Sequence, residues 1–314
     1  MLKIYKTTAV EKKIKKAKRI SVDCWIDMVS PTSEEIDRVI KVTEIDKDLI
    51  LKMLDEEETP RIEEDDNAIL VVVDTPYLEE DDGHFTYNTR PLGIIITNNN
   101  YVITVSPSGT NVLNDFKKNR VKNFRTAKKT RFLIQILLYT SSSYQRALKI
   151  VNRKIEIKEE TLVKSTSNKD LIDMLDLEKT LVYFITSLKA NDLVLKKLSK
   201  GIVLPLYDED EDLLQDAIIE NKQAIEQSEI YRNILGSITD TYATIVSNNL
   251  NQVMKFLAGA TIILSIPTMI YSFMGMNVKL GALATHPYAA LGIFLGSLVI
   301  AIIAVIWLLR RNML

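Results

Sequence analysis

Two stretches near the end of the chain carry no charged residue. Phe256–Val278 and Pro287–Leu309 each run for about 23 residues, the length a helix needs to cross a ~30 Å hydrocarbon core. A short connector, Lys279–His286, lies between them. Two segments cannot close a β-barrel, so both are predicted to be membrane-spanning helices. The competing reading, a buried hairpin in a soluble core, requires core helices longer than usual. Lys255 precedes the first run, Arg310 and Arg311 follow the second, and the connector holds only Lys279. The positive-inside rule therefore predicts cytoplasmic chain ends and an external connector.

Upstream the pattern changes. Ala68–Asp74 is a short apolar run of strand type,. Leu92–Thr97 and Tyr101–Val105 flank Asn98-Asn99-Asn100, a hairpin signal. Asp46–Leu54 reads as a helix with Asp46 as its N-cap. From about Thr130 the apolar spacing becomes helical, over Arg131–Val151 and Asp170–Leu198, with Ser165–Asn168 as turn and cap between them. Pro205 marks a further start, and Asp208–Asp212 supplies the acidic first turn that a helix dipole favours. From Asp212 to Gly259 the only interior glycine is Gly236. One very long helix is therefore predicted, running directly into the first span.

A seam runs along this helix in steps of four and three: Asp240, Thr244, Ser247, Asn251, Met254, Ala258, Thr261, Ser265, Thr268 and Ser272. Such a 3.5-residue period ordinarily marks an apolar coiled-coil seam. Here it is polar or small nearly throughout, even inside the span. One cause is close helix packing, with hydroxyls bonded across helices or to their own carbonyls. The other is a water-filled path. A single helix cannot enclose a path, so the second reading requires several copies around one axis. The membrane part of the seam has no carboxylate. Hydroxyls and amides can bond the waters around a strongly hydrated ion, without holding the ion so tightly that it cannot leave.

Composition narrows the remaining classes. The 314 residues carry a net charge of −1, so no global basic field points to nucleic acid,. The single cysteine, Cys24, excludes an intrachain disulfide and reads as an ordinary strand residue,. Lys12, Lys13, Lys15, Lys16 and Lys18 alternate with apolar residues and no apolar core follows, so the N-terminus does not read as a signal peptide. The acidic groups Asp55–Glu58, Glu63–Asp66 and Glu79–Asp82 are expected as solvated loops between elements, a metal role being the alternative. The chain has no P-loop. Its two histidines, His84 in a turn and His286 at the external interface, have no metal-ligand spacing,. An ion-motive ATPase is thereby disfavoured and no enzyme chemistry is indicated. A proton-coupled exporter of zinc or another divalent cation would need a relay, and the membrane part of the seam has no titratable group to supply one. A membrane-tethered sensor or scaffold remains as the reading from another class.

Just past the seam stands Tyr271-Ser-Phe-Met-Gly275-Met276-Asn277-Val. Gly-Met-Asn closing the first of two C-terminal spans resembles the signature of the CorA family of magnesium and cobalt transport proteins. Leu54–Glu63, Arg90–Thr97, Asp212–Asn221 and Asn251–Lys255 are similar to family segments as well. The resemblance implies an α+β cytoplasmic domain followed by a long stalk helix and two transmembrane helices, assembled as a homopentameric channel in the cell membrane. Its parts would be a funnel domain with a helical portion over residues 1–204, a stalk over 205–254 and a pore-lining span over 255–278. An external loop over 279–286, an outer span over 287–309 and a tail over 310–314 would complete it.

The same resemblance implies uptake of Mg²⁺, and often cobalt or nickel, with Mg²⁺ as substrate and cytoplasmic regulator and no further cofactor. Gly275, Met276 and Asn277 would form the selectivity motif, with Asn277 holding a hydrated ion at the outer mouth. Asp240, Asn251, Met254, Leu257 and Thr268 would line or gate the pore, and Asp216 would contribute one regulatory ligand whose partner carboxylate is not identified. Two features depart from the family pattern. Met274 stands where a tyrosine is usual, and the external loop has no acidic residue.

Overall fold

The apolar runs around Ala68, Leu92 and Tyr101 build the centre of one seven-stranded sheet. The structure, a computed structural model, describes residues 1–7, 13–81, 84–162, 168–276 and 288–311. Of residues 80, 81, 84, 85, 162 and 168 it describes the backbone only. Two compact units are present, Met1–Ile238 and Thr239–Leu314.

In the first unit the strands are β1 (Leu2–Thr7), β2 (Ile14–Lys16), β3 (Trp25–Val29), β4 (Arg61–Glu64), β5 (Ala68–Asp81), β6 (His84–Thr97) and β7 (Val102–Ser106). Their order across the sheet is β2-β1-β3-β7-β6-β5-β4. β3 and β7 run parallel, and the other neighbours run antiparallel. The predicted hairpin forms with Ile96 opposite Val102. β5 and β6 continue beyond their apolar parts as a paired ribbon, from Ala68 opposite Thr97 to Asp81 opposite His84. Two acidic groups expected between elements therefore lie partly in strands, Glu63 and Glu64 in β4 and Glu79–Asp81 in β5. Pairing to β6 carries that chain forward where apolar content does not. Asp82 lies outside the described residues, as does the side chain of His84. The N-terminal lysine stretch supplies β2 at the sheet edge.

The central strands read as unbroken apolar runs because both sheet faces are covered. Period-two alternation sends Val71 and Val73 to one face and Leu70 and Val72 to the other,. The second face receives α1 (Ser33–Thr43) through Ile36 and Val39, and α2 (Lys47–Leu51) through Leu49 and Ile50. Asp46 caps α2 as expected, accepting from the Asp48 N–H, and a 3₁₀ turn, Lys52–Leu54, follows. Met53 from this turn fits over Gly93, where a Cβ would come within 2.4 Å of the Met53 side chain. Only glycine leaves that space. Cys24 is fully buried on this side, immediately before β3.

The first face is covered by α3 (Asn111–Lys117), α4 (Lys129–Leu162) and α5 (Asn168–Leu198). The start of α6 (Asp208–Met274) joins them through Leu214 and Ala217. Trp25 sits at the centre of an aromatic group with Tyr5, Phe116, Phe124 and Phe132. Its indole N–H donates to Thr104 Oγ1 at 2.8 Å. Thr104 in turn bonds the buried Asp27, which Lys117 neutralises at 2.6 Å.

α4 runs well past the expected end at Val151. Beyond that point the stripe thins to Ile155, and ions take over: Lys158 reaches Asp170 at 2.8 Å and Asp173 at 2.5 Å on α5. Apolar spacing does not register such a continuation. The expected turn Ser165–Asn168 falls outside the described residues, except that Asn168 opens α5. The acidic start of α6 is also more than a solvated cap. Asp210 is buried, and Arg131 Nη1 contacts Asp210 and Glu209 at 3.2 Å each.

A polar group ties the sheet to α5. The Ser187 hydroxyl lies 2.6 Å from Asp74 Oδ2. The Asn191 side chain accepts from the Asp74 N–H and donates to its carbonyl, both at 2.9 Å. The fully buried Tyr144 packs nearby, with its hydroxyl unpartnered. Burial pushes the Asp74 carboxyl up to about 6, although the Ser187 hydrogen bond pulls it down. A raised carboxyl means that the folded chain binds this proton more tightly than the unfolded chain does. The resulting stabilisation is complete below pH 4 and is lost as pH rises through 6, an effect of about 2–3 kcal/mol. The unfolding midpoint of the solubilised chain is expected to climb as pH falls from 7 to 5. Asp74→Asn should flatten that slope and stabilise the chain at pH 7. An unchanged slope in this variant would show that the carboxyl is not the source.

The second unit holds the rest of α6 and α7 (Ala289–Arg310). The first span was expected to reach Val278, but its helix ends at Met274. There the Gly275 N–H turns back to the Tyr271 and Ser272 carbonyls. The second begins at Ala289, two residues after Pro287. Both helices are long and apolar enough to span a bilayer, and most of their large apolar side chains are exposed rather than enclosed in a protein core.

Candidate functional site

Within the second unit, α6 has two unlike faces. Gly259 is buried, and Ile263, Ile266, Ile270 and Met274 are half-buried. This three-and-four spacing marks a contact face. At the flank of that face the Tyr271 hydroxyl bonds Ser297 Oγ of α7 at 2.7 Å, and Ser297 is itself buried. At 3.6 residues per turn, Thr261, Ser265, Thr268 and Ser272 lie on the opposite side of the helix. All four are exposed. The seam is thus not the surface that holds α7.

The hydroxyls have a defined orientation. Thr261 donates to the Leu257 carbonyl at 2.8 Å, Ser265 to Thr261 at 2.7 Å and Thr268 to Leu264 at 2.8 Å. Thr244 does the same to Asp240 at 3.0 Å. Each hydroxyl proton is thereby used within its own helix, as short polar side chains in helices often arrange. What Thr261, Ser265 and Thr268 leave toward the outside is oxygen lone pairs, so this part of the stripe presents acceptors.

Toward the N-terminal end the seam continues through Ala258, Met254, Asn251, Ser247 and Asp240, with Leu257 beside it, all exposed. Leu257 and Met254 form an apolar step between the amide of Asn251 and the hydroxyls of the span. Asp216 is exposed on α6, between the buried Leu214 and Ala217, and so points away from its own core. Among the described residues no group of three or more His, Cys, Asp or Glu side chains could hold a metal ion. Any site using Asp216 needs ligands from elsewhere. Gly275 and Met276 follow the helix as a turn. Asn277, the connector and His286 lie outside the described residues.

Three features escaped the sequence reading. Tyr271 and Ser297 join the two helices. The signal was present, because Tyr271 is the one polar residue off the seam in residues 256–274 of α6, and Ser297 the one hydroxyl of α7. Pro267 stands inside α6, where it has no N–H for the Ile263 carbonyl,. Arg131 and Asp210 pair across 79 positions, and no local pattern announces such a contact.

Comparison with known proteins gives a consistent picture. The profile of the CorA-like Mg²⁺ transporter protein family matches residues 22–311. A cobalt/magnesium transport protein CorA of Methanocaldococcus jannaschii is 30% identical over 297 residues, covering 92% of this chain and 90% of that protein. The complete structure of the CorA magnesium transporter from the same organism matches with a TM-score of 0.85 at 29% identity, over 99% of this chain and 98% of that one. The ZntB cytoplasmic domain from Vibrio parahaemolyticus matches with a TM-score of 0.61 at 10% identity, over 78% of this chain and 98% of that domain, a likeness of fold alone.

Proposed function

We propose, since this chain belongs to the CorA-like Mg²⁺ transporter family, that it is a homopentameric channel admitting Mg²⁺, with cobalt and nickel as further candidate ions, to the cytoplasm. The observation that carries the reading is the position of the hydroxyl stripe, exposed on the face of α6 turned away from α7 and so not explained by packing between the two helices. Mg²⁺ dehydrates reluctantly, and its bound waters direct their hydrogens outward. A wall of hydroxyl oxygens whose own protons are already committed suits that shell. Several copies of the stripe around an axis would make a path for a hydrated ion, with Asn277 at its outer mouth beside Gly275 and Met276. Lys255, Arg310 and Arg311 support cytoplasmic chain ends. Entry then needs no fuel, because a divalent ion gains about 4.6 kcal/mol per 100 mV of inside-negative potential.

Reconstituted in liposomes, the purified chain is expected to pass Mg²⁺ inward under such a potential, whether or not a proton gradient is imposed. Flux that requires the proton gradient would replace the channel by a coupled exporter. No cation flux would leave the spans as an anchor.

Regulation by the transported ion belongs to the same reading. Asp216 and Asp240 are exposed carboxylates on α6, repeated once per subunit in an oligomer. Their mutual repulsion favours an open or asymmetric state, and Mg²⁺ bound between subunits offsets it, a population shift by differential binding. Asp216→Asn is expected to weaken the protection that Mg²⁺ gives the first unit against protease. The same variant should raise flux at millimolar internal Mg²⁺. Wild-type behaviour in both measurements would make Asp216 an ordinary surface residue.

A further inference from the structure

The two edges of the sheet carry opposite charge. Around β2, residues 13–19 hold five cations and no acid, and Lys13, Lys15, Lys16, Lys18 and Arg19 are all exposed. Around β4, residues 55–66 hold eight carboxylates against Arg61, with Glu57, Glu64, Asp65 and Asp66 exposed. Charged edges are a common defence against edge-to-edge association. That defence works when the edges that can meet bear the same sign. Here the edges of one sheet attract each other whenever two copies meet head to tail.

We propose that these edges are the two halves of one subunit contact, the lysine-rich edge of one copy docking against the acidic edge of the next. This rests on the homo-oligomer reading above. A contact between unlike surfaces is heterologous, and it closes into a ring when the rotation allows. A two-fold pairing of like edges would instead set cations against cations. The contact is made by side chains, not by continuing the ladder, because the chain already covers part of both edges. Asn119 takes the Ile14 N–H at 2.7 Å and donates to its carbonyl at 3.4 Å, while Lys197 donates to the Ile62 carbonyl at 3.3 Å. Complementary patches of this kind steer encounter and fix orientation, and salt screens them.

A zero-length carbodiimide, which joins lysine to carboxylate directly, tests this on the full chain in mild detergent. Within one copy the two edges lie six strand spacings apart, about 29 Å. An amide between residues 13–19 and 55–66 therefore joins two copies. Such cross-links are expected, and their yield should fall several-fold when Lys15, Lys16 and Lys18 are all replaced by Glu. Adding Glu64→Lys and Asp65→Lys should restore the yield, since the reversed pair can still couple. An oligomer of unchanged mass without these cross-links, or one whose yield ignores the charge reversals, overturns the contact and leaves the assembly standing. A monomer in detergent overturns the assembly and the contact together.

Discussion

Thr268→Lys is expected to abolish Mg²⁺ flux, while Thr268→Asp is expected to preserve a cation current. The argument rests on what the two substitutions share. Insertion into a bilayer charges them nearly the same penalty, about 2.5–3.5 kcal/mol at the centre of a spanning helix. If Thr268 were merely a packing residue, both variants would suffer alike. In a water-filled path they differ by sign. At an effective dielectric of about 20, a divalent ion passing about 6 Å from one lysine ammonium meets roughly 5 kcal/mol of repulsion. One such barrier slows passage more than about a thousandfold, and each subunit adds its own. The aspartate attracts the ion instead and slows its exit. Liposome flux with a Mg²⁺-sensitive dye reads both, with oligomer mass as the check on folding. Equal loss in the two variants would return the seam to helix packing.

Asn277→Leu is expected to lower Mg²⁺ flux at least about 100-fold with the oligomer intact, and Asn277→Ala to do nearly the same. An asparagine amide oxygen accepts a hydrogen bond from ion-bound water. A hydrogen bond involving a charged group is worth about 1.5–3 kcal/mol, and a ring of subunits loses one at each position. Leucine keeps the branched outline of asparagine but is bulkier, so the matching loss in Asn277→Ala is what assigns the effect to the missing acceptor. Wild-type transport in either variant would detach Asn277 from the selectivity motif and would also weaken the roles given to Gly275 and Met276.

Much of this fold was readable because its signals are local. Charge-free length announced both spans, the triple asparagine announced the β6–β7 hairpin, and Asp46 announced α2. The central strands were legible by their apolar density, since burial on both faces leaves no polar alternation to confuse the reading. What stayed hidden depends on partners distant in sequence. The ribbon beyond Asp74 exists because β6 pairs with it. The far end of α4 is held by Lys158 on Asp170 and Asp173, charges that a hydrophobic pattern counts as solvent-facing. Asp210 looked like one more acid in a cap until Arg131, far upstream, was seen beside it. For the candidate site, the period of the seam was plain in the sequence. The face that α7 occupies was not, because either side of α6 has enough small or apolar residues to receive a helix. The Tyr271–Ser297 bond identifies the side.

The helical hairpin of α4 and α5 is not uniform along its length. Near the sheet it is dry, closed by Phe132, Leu137, Val194 and Leu195 in the common core. At its far end the buried apolar side chains thin to Ile155 and Met174, and a partly exposed amine clasps two carboxylates. Dispersion and hydrophobic contact at the base respond little to ionic strength, while the clasp weakens as salt shortens the reach of charge. Raising the ionic strength is therefore expected to loosen the tip of this hairpin before its root.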